Sequence, residues 1–137
     1  MWKYKDSEIS SIDDMPKDSV GFVYQITHIP TGKKYIGKKI LKHKKTRPPL
    51  KGYKRKRVEY VESDWKTYYG SHEGIKQLLK ENNENDFYRE IIDFATTKKY
   101  LSYLETKYQF QLGVLEKQSE YFNSNILGKW YPRDIED

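Results

Sequence analysis

From Val20 to His28 the chain alternates, with Phe22, Tyr24 and Ile26 on one face and Val23 and Gln25 on the other, which is the two-residue period of a strand. Pro30-Thr31-Gly32 supplies turn chemistry, proline fixing its own φ and glycine tolerating a positive one. Lys33 to Leu41 then forms a second strand, and the spacing predicts an antiparallel hairpin. The pattern stops at His43. Through Glu62 the chain is rich in Lys and Arg, with Pro48-Pro49 and Gly52 inside, and reads as a long exposed loop of the kind that is usually functional or mobile. Order returns near Glu62 to Ser71. His72 to Asn82 then places Ile75, Leu78 and Leu79 at helical spacing, with Ser71 as N-cap and Asn82-Asn83 as the stop. Asp86 to Phe94 predicts a third strand. From Thr97 a longer helix repeats Leu101, Leu104, Tyr108, Leu112 and Leu115 every three or four residues.

That order gives an α+β fold, a three-stranded antiparallel sheet flanked by helices, with a basic inserted loop at about 42–62. Residues 1–19 mix acids and bases around Pro16 and read as an irregular lead-in. The tail from Tyr121 reads as loop with one short ordered piece. A length of 137 residues fits one domain, expected over 20–137, since no repeat or linker divides it.

Charge changes this picture more than composition does. The formal net charge is +6, yet Lys33 to Arg57 holds 13 of the 26 Lys and Arg residues and no acid. Such a block is the footprint of a polyanion-binding surface, unless it merely keeps a loop solvated. Tyr53, Tyr60 and Trp65 beside it favour nucleic acid, because rings stack on bases. Hydrophobic residues make up only 36% of the chain, but 13 Tyr, 5 Phe and 3 Trp supply faces for a small core. No run approaches the ~18 apolar residues of a membrane span. The first ten residues are not a secretory signal and there are no cysteines, so a cytoplasmic protein without disulfides or thiolate zinc sites is expected. His28, His43 and His72 are too scattered to suggest a metal cluster.

Val23-Tyr24-Gln25-Ile26 followed by Lys34-Tyr35-Ile36-Gly37-Lys38-Lys39, with the two tyrosines 11 positions apart, resembles the GIY-YIG nuclease family, named for its two strand motifs. The second motif is intact. The first keeps its tyrosine, but Phe22-Val23 precede it and Gly21 is displaced by one. Downstream, Glu105 lies in the helix after the third strand, where the family carries a metal-binding glutamate, and Phe122-Asn123-Ser124-Asn125-Ile126 places Asn125 where the family has a C-terminal asparagine. The resemblance spans about Gly21 to Ile126.

What the resemblance implies is a metal-dependent DNA endonuclease, with Mg²⁺ or Mn²⁺ as cofactor, Glu105 as metal ligand and double-stranded DNA as substrate. Members include mobile-intron and phage homing enzymes, restriction enzymes and repair enzymes, so a phage or bacterial setting is implied; this chain has no room for the separate recognition domain of the homing type. A hard cation keeps several waters and is often held by one or two carboxylates, so a single glutamate is chemically sufficient. Tyr24 is implied as general base, which requires its pKa of about 10 to be lowered by nearby cations, with Tyr35 orienting water or phosphate. Strand periodicity independently puts Tyr35, Gly37 and Lys39 on one face, with Lys39 beside Tyr35 and Gly37 leaving room for substrate to approach the backbone.

The family's arginine about ten positions after the second motif falls at Lys45, with Arg47, Arg55, Arg57 or Lys39 as alternatives. Its second polar residue, His or Tyr, falls at Tyr68 or Tyr69. The catalytic set is therefore Tyr24, Tyr35, Lys39, Glu105 and Asn125, and the nucleic-acid-binding set Lys38, Lys42, Lys44, Lys45, Arg47, Lys54, Arg55, Arg57 and Tyr68. Each residue type also has an ordinary reading: strand tyrosines pack, helix glutamates face solvent and asparagines cap turns. The competing functions are a non-catalytic nucleic-acid binder on the same fold and a basic protein-interaction module. RNA as substrate stays open, and a homodimer is compatible with cutting two strands although no interface pattern is visible.

Overall fold

A computed structural model describes residues 1–81 and 84–136; the expected helix stop at Asn82-Asn83 lies outside the described residues. The central hairpin pairs strand β3, Gly21–His28, with β4, Lys33–Ile40, in a register that sets Tyr24 opposite Gly37 and Ile26 opposite Tyr35. Gly32 closes its turn at φ +71°, its N–H donating to the His28 carbonyl at 2.7 Å. Strand β7, Phe87–Ala95, runs antiparallel along the other side of β3, with a bulge between Val23 and Tyr24.

The sheet is larger than the three antiparallel strands expected. Within the supposed irregular lead-in, β1, Trp2–Tyr4, pairs parallel with β7, and β2, Ser7–Ile9, pairs antiparallel with β1. The result is a mixed five-stranded sheet in the order β2-β1-β7-β3-β4. Three-residue strands are too short to show a period, but each buries an apolar anchor, Trp2 in β1 and Ile9 in β2. The indole N–H of Trp2 donates to the Trp65 carbonyl at 2.7 Å, which ties this edge to the middle of the chain.

The expected basic loop is also ordered. Strands β5, Lys42–Arg47, and β6, Arg57–Glu62, form a separate two-stranded antiparallel ribbon. It follows β4 after the single residue Leu41, which is buried. At its base Ser63 donates from its N–H to the Leu41 carbonyl at 2.8 Å and from its hydroxyl to the Ile40 carbonyl at 2.6 Å. Nearly every residue of the ribbon is exposed on both faces, so no apolar alternation announces it.

Two cores cover the two faces of the sheet. Phe22, Tyr24 and Ile26 of β3 pack with Trp2, Ile9, Trp65, Phe87 and Ile75, the last from helix α1, Glu73–Glu81. Val23 and Ile36 face the other way, against Leu101 and Leu104 of helix α2, Lys98–Leu112. The Thr97 side chain caps α2 by accepting from the Tyr100 N–H at 3.1 Å, and Gly113, at φ +66°, ends it. Leu115, expected on the helical stripe, lies beyond that stop yet still joins the second core.

Strand β4 is the outer strand of the sheet, and its outward-facing groups are engaged at Lys34, at Ile36 and at the Lys38 N–H. Lys34 exchanges main-chain bonds with Glu120 and Phe122 at 2.9 and 2.7 Å. The Ile36 N–H donates to Asn123 Oδ1 at 3.0 Å, and its carbonyl accepts from Asn123 Nδ2 at 2.9 Å and Gln109 Nε2 at 3.1 Å. The Lys38 N–H reaches the carboxylate of Glu105.

Candidate active site

These bonds fix one wall of a polar cavity of about 570 Å³, lined by Tyr35, His72, Glu105, Gln109, Asn123 and Asn125 among others. Three of the five residues expected to be catalytic therefore line one space: Tyr35, Glu105 and Asn125. They come from β4, from α2 and from the turn after Tyr121, held together because α2 and that turn both dock on the β4 edge.

Glu105 sits on the flank of α2 beside the apolar stripe and is largely removed from solvent. Burial raises its pKa above the ordinary carboxylate value, while the charge of Lys38 and the Lys38 main-chain N–H pull the other way. A desolvated carboxylate facing a polar cavity is a group that gains from a cation. Among the described residues no three His, Asp or Glu side chains form a cation cage. The site therefore fits a hard cation that takes one carboxylate from Glu105 and its other oxygens from water and phosphate, and does not fit an all-protein metal cage.

The two tyrosines differ. Tyr35 lines the cavity, and burial raises its pKa despite a hydrogen bond from Ser71. Tyr24 is only 1% exposed and stands behind the cavity wall, its ring 6.3 Å from that of Tyr35 and 5.9 Å from that of Tyr68. Burial first, and the neighbouring phenols second, push its pKa well above 10, the reverse of the lowering expected for a general base. The expectation for Gly37 changes as well. A β carbon there would collide with the Tyr24 hydroxyl and lie 2.7 Å from its Cζ, so the glycine makes room for Tyr24 and not for substrate.

Lys39 does share a face with Tyr35, but it is committed elsewhere. Its Nζ pairs with Asp64 at 2.6 Å and lies 4.0 Å over the Tyr68 ring. Tyr68, expected to touch nucleic acid, is half-buried beneath it and packs edge-on to Tyr24. Asn125 reaches the cavity but is only half-buried, with Oδ1 accepting from the Gly128 N–H at 2.8 Å. The buried asparagine is Asn123, two positions earlier and 3% exposed, which clasps Ile36.

His72 is the residue the sequence reading passed over. It lines the cavity with its ring 5.6 Å from that of Tyr35, and Nδ1 accepts from the Gly74 N–H at 3.0 Å. Burial and the charge of Lys33 lower its pKa, so the neutral ring keeps its proton on Nε2. Its place one helical cap ahead of α1, just after Tyr68-Tyr69, was the available signal. Arg89, also unforeseen, is a buried structural cation: Nη1 donates to the carbonyls of Lys66 and Tyr68 at 3.0 and 2.8 Å, between the rings of Trp2 and Tyr69.

The basic residues divide by location. Lys38 donates to Ser102 Oγ at 2.6 Å on the α2 side, near Glu105. Lys42, Lys44, Lys45, Arg47 and Arg57 stand on the ribbon, and Lys54 and Arg55 at its exposed tip. None of the ribbon residues lines the cavity.

A hairpin carrying paired tyrosines, a docked helix carrying one half-buried glutamate and a basic extension together define a small α+β domain of nuclease type. Residues 2–126 match the family described as putative endonuclease segE, GIY-YIG domain, and the chain belongs to that GIY-YIG endonuclease family. The match takes in β1 and β2. Comparison with curated proteins and with solved structures gives no match.

Proposed function

We propose that this chain is a divalent-metal-dependent endonuclease that hydrolyses phosphodiester bonds in double-stranded DNA, of the phage or homing type. The convergence of Tyr35, His72 and Glu105 on one polar cavity carries this reading, because these groups supply a phenol, a neutral imidazole and a carboxylate around a space that admits a phosphate.

Glu105 would hold the cation, which supplies Lewis acidity at a phosphate oxygen. The chain's own residues do the rest. Tyr35 and His72 donate hydrogen bonds from Oη and Nε2 to the scissile phosphate or to the attacking water. Tyr24 keeps its proton on Oη and backs the Tyr35 ring; its pKa would be lowered toward the role of base that the family implies by the positive charge of a cation held by Glu105. Lys38, beside Glu105, offsets the charge that builds on the phosphate. The site is built for one strand at a time, so cutting a duplex through requires two binding events or two copies.

The test is plasmid cleavage by the purified chain with Mg²⁺ or Mn²⁺, against the same reaction in EDTA and against Glu105→Gln. Nicking that depends on both the cation and Glu105 supports the reading. Cleavage that survives EDTA or the substitution overturns it, and DNA binding without any cleavage favours a binder that keeps the fold.

A further inference from the structure

We infer that the β5–β6 ribbon is a major-groove reading arm, and that it seats in duplex DNA through the face carrying Lys45, Arg47 and Arg57. This rests on the DNA-cleaving reading above, but it concerns recognition and not the cut.

The cross-strand register separates two faces. Lys42, Lys44, Thr46, Val58, Tyr60 and Glu62 share one, and His43, Lys45, Arg47, Arg57, Glu59 and Val61 share the other. Tyr60 and Lys42 on the first face border a hollow on the body of the protein together with Val20, Leu41 and Lys98. The second face carries Arg47 directly opposite Arg57, an arrangement that like charges oppose in an isolated ladder. Each arginine is held through Nε, Arg47 by Glu59 at 2.7 Å and Arg57 by the Pro48 carbonyl at 3.2 Å. That grip stiffens the two side chains and leaves their Nη atoms for an acceptor outside the chain. A guanine presents such an acceptor pair, O6 and N7, in the major groove.

Dimensions select the groove. A two-stranded ribbon is admitted by the ~12 Å major groove of an undeformed duplex, whereas the ~6 Å minor groove takes one only at the cost of widening or bending the DNA. Six cross-strand pairs at ~3.3 Å each give an arm of roughly 20 Å. The arm is fixed at its root by Leu41 and Ser63 and continues the strand that holds Tyr35. From Tyr35 to Arg47 the chain advances at most ~40 Å, or about 12 base pairs at ~3.4 Å each. The guanines read by the arm therefore lie within about 12 base pairs of the cut, on one side of it.

The experiment measures duplex binding in EDTA, so that it does not depend on cleavage. Arg47→Gln with Arg57→Gln should weaken affinity about tenfold or more and relax the preference for guanine in the bound site, while the salt slope, which counts phosphate contacts, and the melting of the protein change little. Replacing guanine by 7-deazaguanine within the bound site, which alters only the DNA, should weaken the unmodified protein similarly, while a minor-groove ligand should compete poorly. Unchanged affinity for the 7-deazaguanine duplex, efficient competition by the minor-groove ligand, or equal affinity for single-stranded DNA or RNA would each overturn the arm. Failure of the nuclease reading would show separately, as intact guanine-dependent binding without cleavage.

Discussion

The side-chain amide of Asn123 closes on the main chain of Ile36 from both directions, accepting from its N–H at 3.0 Å and donating to its carbonyl at 2.9 Å. One amide thus takes the place of a neighbouring strand along the motif that carries Tyr35. Asn123→Ala should cost about 1–3 kcal/mol in urea unfolding, because the buried Ile36 N–H loses its partner and the Ile36 carbonyl keeps only Gln109. Cleavage should fall further than the stability loss alone accounts for, and Asn125→Ala should do much less. Equal effects of the two substitutions would show that the clasp has no special role.

Glu105 lends itself to a test by pH. Its folded pKa is raised, so folding disfavours the ionised form; relative to Glu105→Gln, the wild-type side chain is without penalty below its unfolded pKa of about 4.3 and carries the full penalty above its folded pKa. Glu105→Gln should therefore be as stable as wild type near pH 4 and equally or more stable at pH 7, while losing cleavage. Urea unfolding at the two pH values checks the first part. Glu105 must also be ionised to hold a cation, so raising the Mg²⁺ concentration should move the acid limb of cleavage to lower pH.

His72 shifts in the opposite sense. Its folded pKa is lowered, so the stability it contributes is present above the unfolded value of about 6.5 and is lost as pH falls toward the folded one. A proton NMR titration should place the His72 midpoint below the ordinary value of 6.5. His72→Phe should preserve ring contacts with Tyr35 and Phe122 but reduce cleavage at least tenfold. Retained cleavage would remove the imidazole from the site.

Gly37 and Tyr24 should behave as a pair. Gly37→Ala forces the new methyl against the Tyr24 hydroxyl and Cζ, an overpacking that costs about 1–3 kcal/mol. Tyr24→Phe removes the hydroxyl but leaves Cζ, so the double variant should recover only part of the loss. A double-mutant cycle in thermal unfolding measures this coupling, and strict additivity would mean that the strand relaxes instead.

The β3–β4 hairpin and α2 were legible because each buries one face and local spacing reports it: Phe22, Tyr24 and Ile26 in one case, Leu101 and Leu104 in the other. The ribbon was not, since strands exposed on both faces leave no apolar alternation, and β1 was not, since its partner β7 lies some 90 positions away. The site split along the same line. Tyr35 and Glu105 sit on elements whose own period places them, whereas Asn123 and Gln109 act through bonds to Ile36 that span 87 and 73 residues. The tyrosine pair was visible in sequence, but the depth of Tyr24 was not, because burial is set by Trp2, Tyr68 and Gly37 together.

The filled outer edge of β4 has a consequence beyond catalysis. An outer strand with free N–H and carbonyl groups is a template on which another molecule can lengthen the sheet, the usual first step toward insoluble fibres. Here Asn123, Gln109 and Glu105 occupy groups of that edge, so residues that shape the cavity also leave that stretch with fewer free groups to pair with another strand. A chain stripped of that cover, as in Asn123→Ala combined with Glu105→Ala, should scatter light on storage at concentrations where the parent stays clear.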